Sequence, residues 1–200
     1  MNRPVHIAVV QPPAVGEGVS HKQMIDAAVA LVAEAGTTGA DIVCLPEYLN
    51  VMGCDEATWL HPGPARESRT LEQISGLAAQ HSMHVILPVR DEREGGLYNT
   101  SLVIDRTGTI AGHYDKTHLT AVEREDQGVR AGDDYPVFDL DIGRIGVMTC
   151  YDGHFPEVAG LLGRAGAQII FFPSLQRRVT AEQLELQVRC RAIDNCVWIA

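Results

Sequence analysis

The chain predicts an α/β fold, a mixed sheet covered by helices, and three observations carry that reading. Short unbroken apolar runs mark buried strands, helical apolar spacing fills the stretches between them, and two polar turns cut the middle of the chain into hairpins. Val5 to Gln11 is one such run, halted at Pro12-Pro13 and read as a central strand buried on both faces. Ser20 caps a helix carrying Met24, Ala27, Ala28, Leu31, Val32 and Ala35 at helical spacing and closed by Gly36. Asp41 to Pro46 is a second buried strand, Leu71 to Gln80 a helix, and Val85 to Val89 a third strand. Leu97 to Ile104 and Thr109 to Tyr114 then flank the turn Asp105-Arg106-Thr107-Gly108, and Val137 to Leu140 pairs with Arg144 to Cys150 through Gly143. Pro156 to Arg164 returns to helix, Gln168 to Pro173 to strand, and Thr180 to Asn195 to a long helix, before Val197 to Ala200 opens a last strand.

Two hundred residues make a single domain spanning 1–200. The 46% hydrophobic and 21% charged content excludes a disordered or fibrous chain. Sixteen Lys plus Arg against twenty-six Asp plus Glu leave a net charge of -10, which repels phosphate backbones and anionic headgroups and argues against nucleic-acid and membrane partners. No apolar run approaches the ~20 residues that span a bilayer, and Met1 to Val10 lacks a small-residue cleavage site, so a soluble, cytoplasmic protein is expected. Cys44, Cys54, Cys150, Cys190 and Cys196 are odd in number and contain no C-x-x-C pair, which speaks against a disulfide framework or a structural zinc site. Cys44, Cys190 and Cys196 read as buried fillers.

Three strand ends carry reactive side chains: Glu47 after Cys44-Leu45-Pro46, Lys116 at the close of the first hairpin, and Cys150 at the close of the second. Ligands of α/β sheets gather beyond carboxyl strand ends, so the three can converge. Taken singly each has a plain alternative, since a Glu or Lys after a strand is mostly a solvated loop residue and a Cys ending one is mostly core. Cys150 stands out because Asp152, Pro156 and Glu157 look like the opening of a helix. A thiol beside a helix N-terminus has its pKa pulled below ~8.5, and a sharp strand-to-helix turn presents it outward. His118 and His154 are both available as its base, and a buried carboxylate can also serve.

Glu47 in LPEY, Lys116 in YDKTHL and Cys150 in GVMTCYDGHFPE resemble the three catalytic motifs of the nitrilase superfamily, the carbon-nitrogen hydrolases. The opening IAVVQ, the YNTSLVIDRTGTI hairpin, PVFDLDIGRIGV and RAIDN also match, in order, from Val5 to the last residue. The resemblance implies a four-layer α-β-β-α sandwich that assembles into homodimers or larger homo-oligomers. It implies Glu47 as general base, Lys116 as transition-state stabiliser and Cys150 as nucleophile, with Glu123 as a supporting glutamate, although Glu125 stands close by. The Tyr151 backbone N–H joins Lys116 in holding an oxyanion, and no metal or organic cofactor is needed. Tyr151-Asp152 looks like the amidase branches, where true nitrilases carry tryptophan and glutamate, so a small carboxamide is expected, with an N-carbamoyl compound as alternative. Arg177 or Arg178, in the loop after Phe171-Phe172-Pro173, could clamp a substrate carboxylate. His154, where many relatives carry arginine, contacts substrate or shapes the turn.

Relatives continue past the RAIDN helix and its strand, so the sandwich is expected to lack C-terminal strands and the domain to be incomplete at that end. A catalytically inactive truncated chain acting by association is therefore a rival reading from another class, and a redox-sensing thiol at Cys150 a third.

Overall fold

The computed structural model describes residues 4–16, 18–93, 95–176 and 179–200. Two sheets form it. The first holds β1 (Ile7–Val9), β2 (Ile42–Cys44), β3 (His84–Arg93), β4 (Gly96–Ile104) and β5 (Ile110–Asp115) side by side in that order, with β6 (Val129–Arg130) also pairing β4. The second runs β10 (Trp198–Ile199), β9 (Ile169–Phe171), β8 (Gly143–Val147), β7 (Val137–Leu140). Strands separated by a helix pair in parallel and strands joined by a turn pair antiparallel, so both sheets are mixed.

The period-2 alternation of strands sorts their side chains into three separate cores, and these define the layers. Val43, Val85, Leu87, Leu102 and Ile104 point outward onto α1 (His21–Thr37) and α3 (Arg69–His81), meeting Ala28, Val32, Ile74 and Ala78. Their strand neighbours Ile42, Cys44, Ile86 and Val103 point the other way and meet Ile145, Val147, Ile169 and Phe171 of the second sheet. Met148 and Ile170 face out again, onto Val158, Ala159 and Leu162 of α4 (Pro156–Arg164). Helix, sheet, sheet, helix is the four-layer sandwich, with α5 (Ala181–Asn195) packed against α4. Each fully buried aliphatic side chain in these layers contributes about 1.5–3 kcal/mol. Gly112 lets the two sheets approach: a Cβ there would lie 2.5 Å from Phe138 Cε1 across the interface.

Local chemistry explains the element ends. The Ser20 side chain accepts from Gln23 N–H while Gln23 reaches back to Ser20 N–H, closing a capping box. Thr180 and Gln183 repeat the device at α5. In the β4–β5 turn, Asp105 Oδ1 accepts from Thr107 N–H at 2.8 Å and Thr109 N–H at 3.1 Å, leaving Gly108 at φ 80.

Several expectations change. The first strand is not central and not buried on both faces: it is an edge, and Ile7 and Val9 are 37% and 59% exposed on the side facing the second sheet. Trp198 of β10, the edge of the second sheet, is 78% exposed. The third strand does not stop at Val89 but runs to Arg93 and pairs antiparallel with all of β4, through a hairpin whose charged run Arg90-Asp91-Glu92-Arg93 hides it. The short helix α2 (Glu56–Leu60), capped by Asp55, also carries too little apolar pattern to foresee. Of the cysteines read as fillers only Cys44 is buried; Cys190 is half-buried and Cys196 exposed, and all five are free thiols.

Candidate active site

The two facing sheets bring the three strand ends together. Glu47 lies three residues past β2, Lys116 directly follows β5, and Cys150 follows β8 by three residues. Lys116 and Glu47 are each 1% exposed, and Lys116 Nζ lies 3.1 Å from Glu47 Oε1. The same ammonium donates to both oxygens of Glu123, at 3.0 and 2.9 Å. Glu123, buried on a π-helical turn (Val122–Asp126), is thus the second glutamate of the site, and Glu125 points to solvent.

A ring of donors fixes the two carboxylates. Asn99 of β4 donates Nδ2–H to Glu47 Oε1 at 2.8 Å and to Glu123 Oε1 at 3.1 Å, bridging them. Leu175 N–H donates to Glu47 Oε2 at 2.8 Å. Tyr48 O–H donates to Glu123 Oε1, and Thr120 donates both its N–H and its hydroxyl to Oε2. These residues escape a reading from motifs because an Asn inside a strand and a loop amide carry no chemical label. Asn99 was within reach only as part of the matching YNTSL segment.

Cys150 sits at φ 48, a left-handed conformation that non-glycine residues rarely adopt and that turns the thiol out of the strand direction. Its Sγ donates to Leu175 O at 3.8 Å and lies in the fields of Glu47 and Lys116. The environment does not depress the thiol pKa, as a helix N-terminus would. Burial, reinforced by the Glu47 charge and only partly opposed by Lys116, pushes it up to about 12. The reason is local. Residues Cys150–His154 form a separate 3-10 turn, so α4 starts six residues beyond the thiol, at Pro156 behind Phe155. Asp152 does not cap α4 either. It is fully buried and accepts from Tyr114 O–H at 2.7 Å, Thr149 N–H at 2.8 Å, His118 N–H at 2.9 Å and Thr117 hydroxyl at 3.2 Å, tying the Lys116 loop to the Cys150 loop.

The charges settle each other. Burial works against the Lys116 ammonium, but Glu47, the Cys150 sulfur and Glu123 outweigh it and hold its pKa above the ordinary value. Burial likewise works against ionised Glu123, and Lys116, the Tyr48 hydroxyl and the Thr120 amide outweigh it and hold the carboxyl below its ordinary range. Neither histidine serves the thiol: His118 Nδ1 is shared between Thr117 and Asp152 with its ring stacked on Phe155, and His154 is exposed beside the Tyr151 ring. Arg177 and Arg178 lie outside the described residues. Among the described residues no group of three or more His, Cys, Asp or Glu is placed to hold a metal, and no helix is long and apolar enough to cross a membrane.

Tyr151 and Phe155 line a hollow of about 420 Å³ with Thr117, His118, Leu119, Ala121 and Arg124; Cys150, Glu47, Lys116 and Glu123 are not part of its lining.

The carbon-nitrogen hydrolase family model matches residues 6–200. Nitrilase homolog 2 of Dictyostelium discoideum is 28% identical over 194 residues, covering 92% of this chain and 59% of that protein. The omega-amidase NIT2 of Homo sapiens is 31% identical over 184 residues, covering 86% of this chain and 66% of that protein. The chain thus spans less than two thirds of the length of such relatives. The NitFhit protein of C. elegans superposes with a TM-score of 0.82 at 27% identity, over 96% of this chain and 49% of its own.

Proposed function

The chain belongs to the carbon-nitrogen hydrolase family, and we propose on that premise that it hydrolyses a small carboxamide to a carboxylate and ammonia through a cysteine thioester. The observation that carries this is the buried meeting of Lys116 with Glu47 and Glu123, beside a thiol that lies in the field of Glu47 and Lys116. No fold requires two carboxylates, an ammonium and a thiol in one dry place, and each is costly to bury unless it has work to do.

In the proposed reaction Glu47 takes the Sγ proton as sulfur attacks the carbonyl carbon. The resulting oxyanion is held by Lys116 and by the Tyr151 N–H, and losing one such donor costs ~10²–10³ in rate. The C–N bond breaks, and the leaving nitrogen takes the proton from Glu47 and departs as ammonia. Glu47 then deprotonates water, which attacks the thioester carbon. The C–S bond breaks, and sulfur recovers the proton from Glu47 as the carboxylic acid leaves. Glu123 holds Lys116 in place. Nothing in this sequence calls for a metal or organic cofactor. A relative of this chain bears the name omega-amidase, which supports ω-amides of dicarboxylates as the first substrates to test. N-carbamoyl amino acids are the alternative, and assembly into a homodimer or larger homo-oligomer belongs to the same reading.

The test is ammonia release from ω-amides, simple carboxamides and N-carbamoyl compounds by the purified chain and by Cys150→Ala. Turnover that vanishes in the folded variant is expected. Turnover that survives it, or none from either protein, would overturn the proposal, and the second outcome would leave association as the chain's role.

A further inference from the structure

Behind Glu123 lies a second buried cation that the proposed reaction does not use. Arg90 of β3 is fully buried, and its guanidinium carbon sits 5.5 Å from the centre of the Tyr48 ring and 5.2 Å from that of Trp59, the two rings meeting edge to face at 5.1 Å. Its Nη1–H donates to Gln127 Oε1 at 2.9 Å, while Nε and Nη2 find no hydrogen-bond acceptor among the described residues. Two aromatic faces stand in for those missing acceptors, an arrangement that suits the weakly hydrated guanidinium. A fully buried cation with such partners is expensive, and its placement explains what it does.

Arg90 touches both supports of Glu123. Tyr48, on whose ring it rests, donates its hydroxyl to Glu123 Oε1. Gln127, which it bonds, ends the π-helical turn that carries Glu123. Its own backbone is clasped on both sides by Asn50, whose Oδ1 accepts from Arg90 N–H at 2.7 Å and whose Nδ2–H donates to Arg90 O at 2.8 Å. That clasp ties β3 to the loop holding Glu47 and to Tyr48, itself at the left-handed φ of 62. The charges match too. Glu123 faces Lys116 from the end of β5, Glu47 and Tyr48 from the loop after β2, Asn99 from β4 and Arg90 from β3, so two carboxylates are set against two cations. We propose, on the functional reading above, that Arg90 is a positioning residue: the second cation of the site, which acts through the Tyr48 hydroxyl and the Gln127 turn to hold Glu123 ionised and turned onto Lys116.

The test is Arg90→Met, with Arg90→Lys and Tyr48→Phe beside it, followed in two ways. One is the pH dependence of amide turnover, and the other is the pH dependence of iodoacetamide labelling of the Cys150 peptide, read by mass mapping. Losing a cation raises the pKa of nearby carboxylates, so the acidic limb moves to higher pH. A shift of about one unit is expected in folded Arg90→Met, less than a cation in direct contact would cause. Turnover should fall ten- to a hundredfold with KM changed less than threefold, the labelling profile should move in the same direction, and Arg90→Lys should bring the limb back. A folded Arg90→Met with wild-type limb and labelling profile would overturn the proposal. Should that variant not fold, Tyr48→Phe decides: it keeps the ring under Arg90 and cuts the link to Glu123, and an unshifted profile there refutes the role. Absence of Cys150-dependent turnover in the wild type would sink the functional reading alone, because the labelling comparison still reads the effect of Arg90.

Discussion

Replacing Lys116 by Met tests the electrostatics of the site without asking for a substrate. Met reproduces the Lys stem as far as Cε and nearly keeps the volume, but it leaves Glu47 and Glu123 facing each other with Asn99 Nδ2 bridging them. Breaking a buried ion pair from one side costs about 3–5 kcal/mol. With ~2.5 kcal/mol per molar urea for a chain of this size, a loss near 4 kcal/mol lowers the urea midpoint by about 1.6 M at about pH 8. The sign of the pH dependence is the sharper test. In the wild type the Glu123 carboxyl is held below its ordinary range, so its contribution is present above about pH 4.3 and lost only as the pH falls through the depressed value. In Lys116→Met one of the two carboxyls is raised by about two units, worth about 2.7 kcal/mol. A raised carboxyl favours the folded state at low pH, and that advantage disappears as the pH rises through the new value. The gap between variant and wild type therefore narrows on acidification, with about 1.7 kcal/mol recovered by about pH 5. Urea unfolding of both proteins at the two pH values measures it directly. An equal gap at both would mean that the carboxylates are not charged partners of Lys116, and the reasoning about the site would fail.

Two further predictions concern the scaffold. Asp152→Ala removes the acceptor of four donors, three of them from the β5 and Lys116 segment, so we expect a loss of about 3 kcal/mol, measured by urea unfolding, and weakened Cys150-dependent turnover; wild-type stability would show that the tie carries no load. Gly112→Ala pushes a methyl group to 2.5 Å from Phe138 across the inter-sheet layer, and should cost about 1–3 kcal/mol in thermal melts, an effect that Phe138→Leu should partly relieve.

Much of the fold was legible because short unbroken apolar runs and helix caps are local signals. Ser20 and Thr180 mark helix starts, and the alternation Ile42-Val43-Cys44 already encodes which neighbour faces a helix and which faces the other sheet. The continuation of β3 was not legible, because Arg90 and Asp91 are buried charges in a strand. They fit there through partners far along the chain, Tyr48, Trp59 and Gln127 for one and the Ala65 amide for the other, which Arg93 two residues on also pairs. The exposed faces of Ile7 and Val9 were missed for the opposite reason, since an apolar run does not say how many strands flank it. At the site, Glu47, Lys116, Cys150 and Glu123 stood out as reactive types at strand ends or matching positions. Asn99, Thr120, Asp152 as a tie, and the Leu175 amide became visible only when distant segments met.

The direction of the Cys150 pKa is the one point where the structure reverses the chemistry read from spacing, and it changes how attack must proceed. A thiol near pKa 12 is ionised to about one part in 10⁵ at neutral pH, so a standing thiolate is not the resting nucleophile. The proton has to leave as sulfur attacks, and Glu47, whose charge acts on the thiol, is the group proposed to receive it. That coupling suits a dry site. As Glu47 takes the proton its negative charge disappears, while one appears on the substrate oxygen beside Lys116. The number of charges in the buried cluster stays constant through the step. A low-dielectric pocket with fixed dipoles stabilises such an exchange without reorganising, whereas it would resist creating a new ion pair from neutral groups. In that account Lys116, Glu123 and Arg90 keep their charges from start to finish, and only Glu47 and Cys150 exchange a proton. The pH profile of turnover should accordingly show no limb near neutrality from the thiol. A profile that instead rises through about pH 8 as an unperturbed thiol ionises would show that Cys150 attacks as a preformed thiolate.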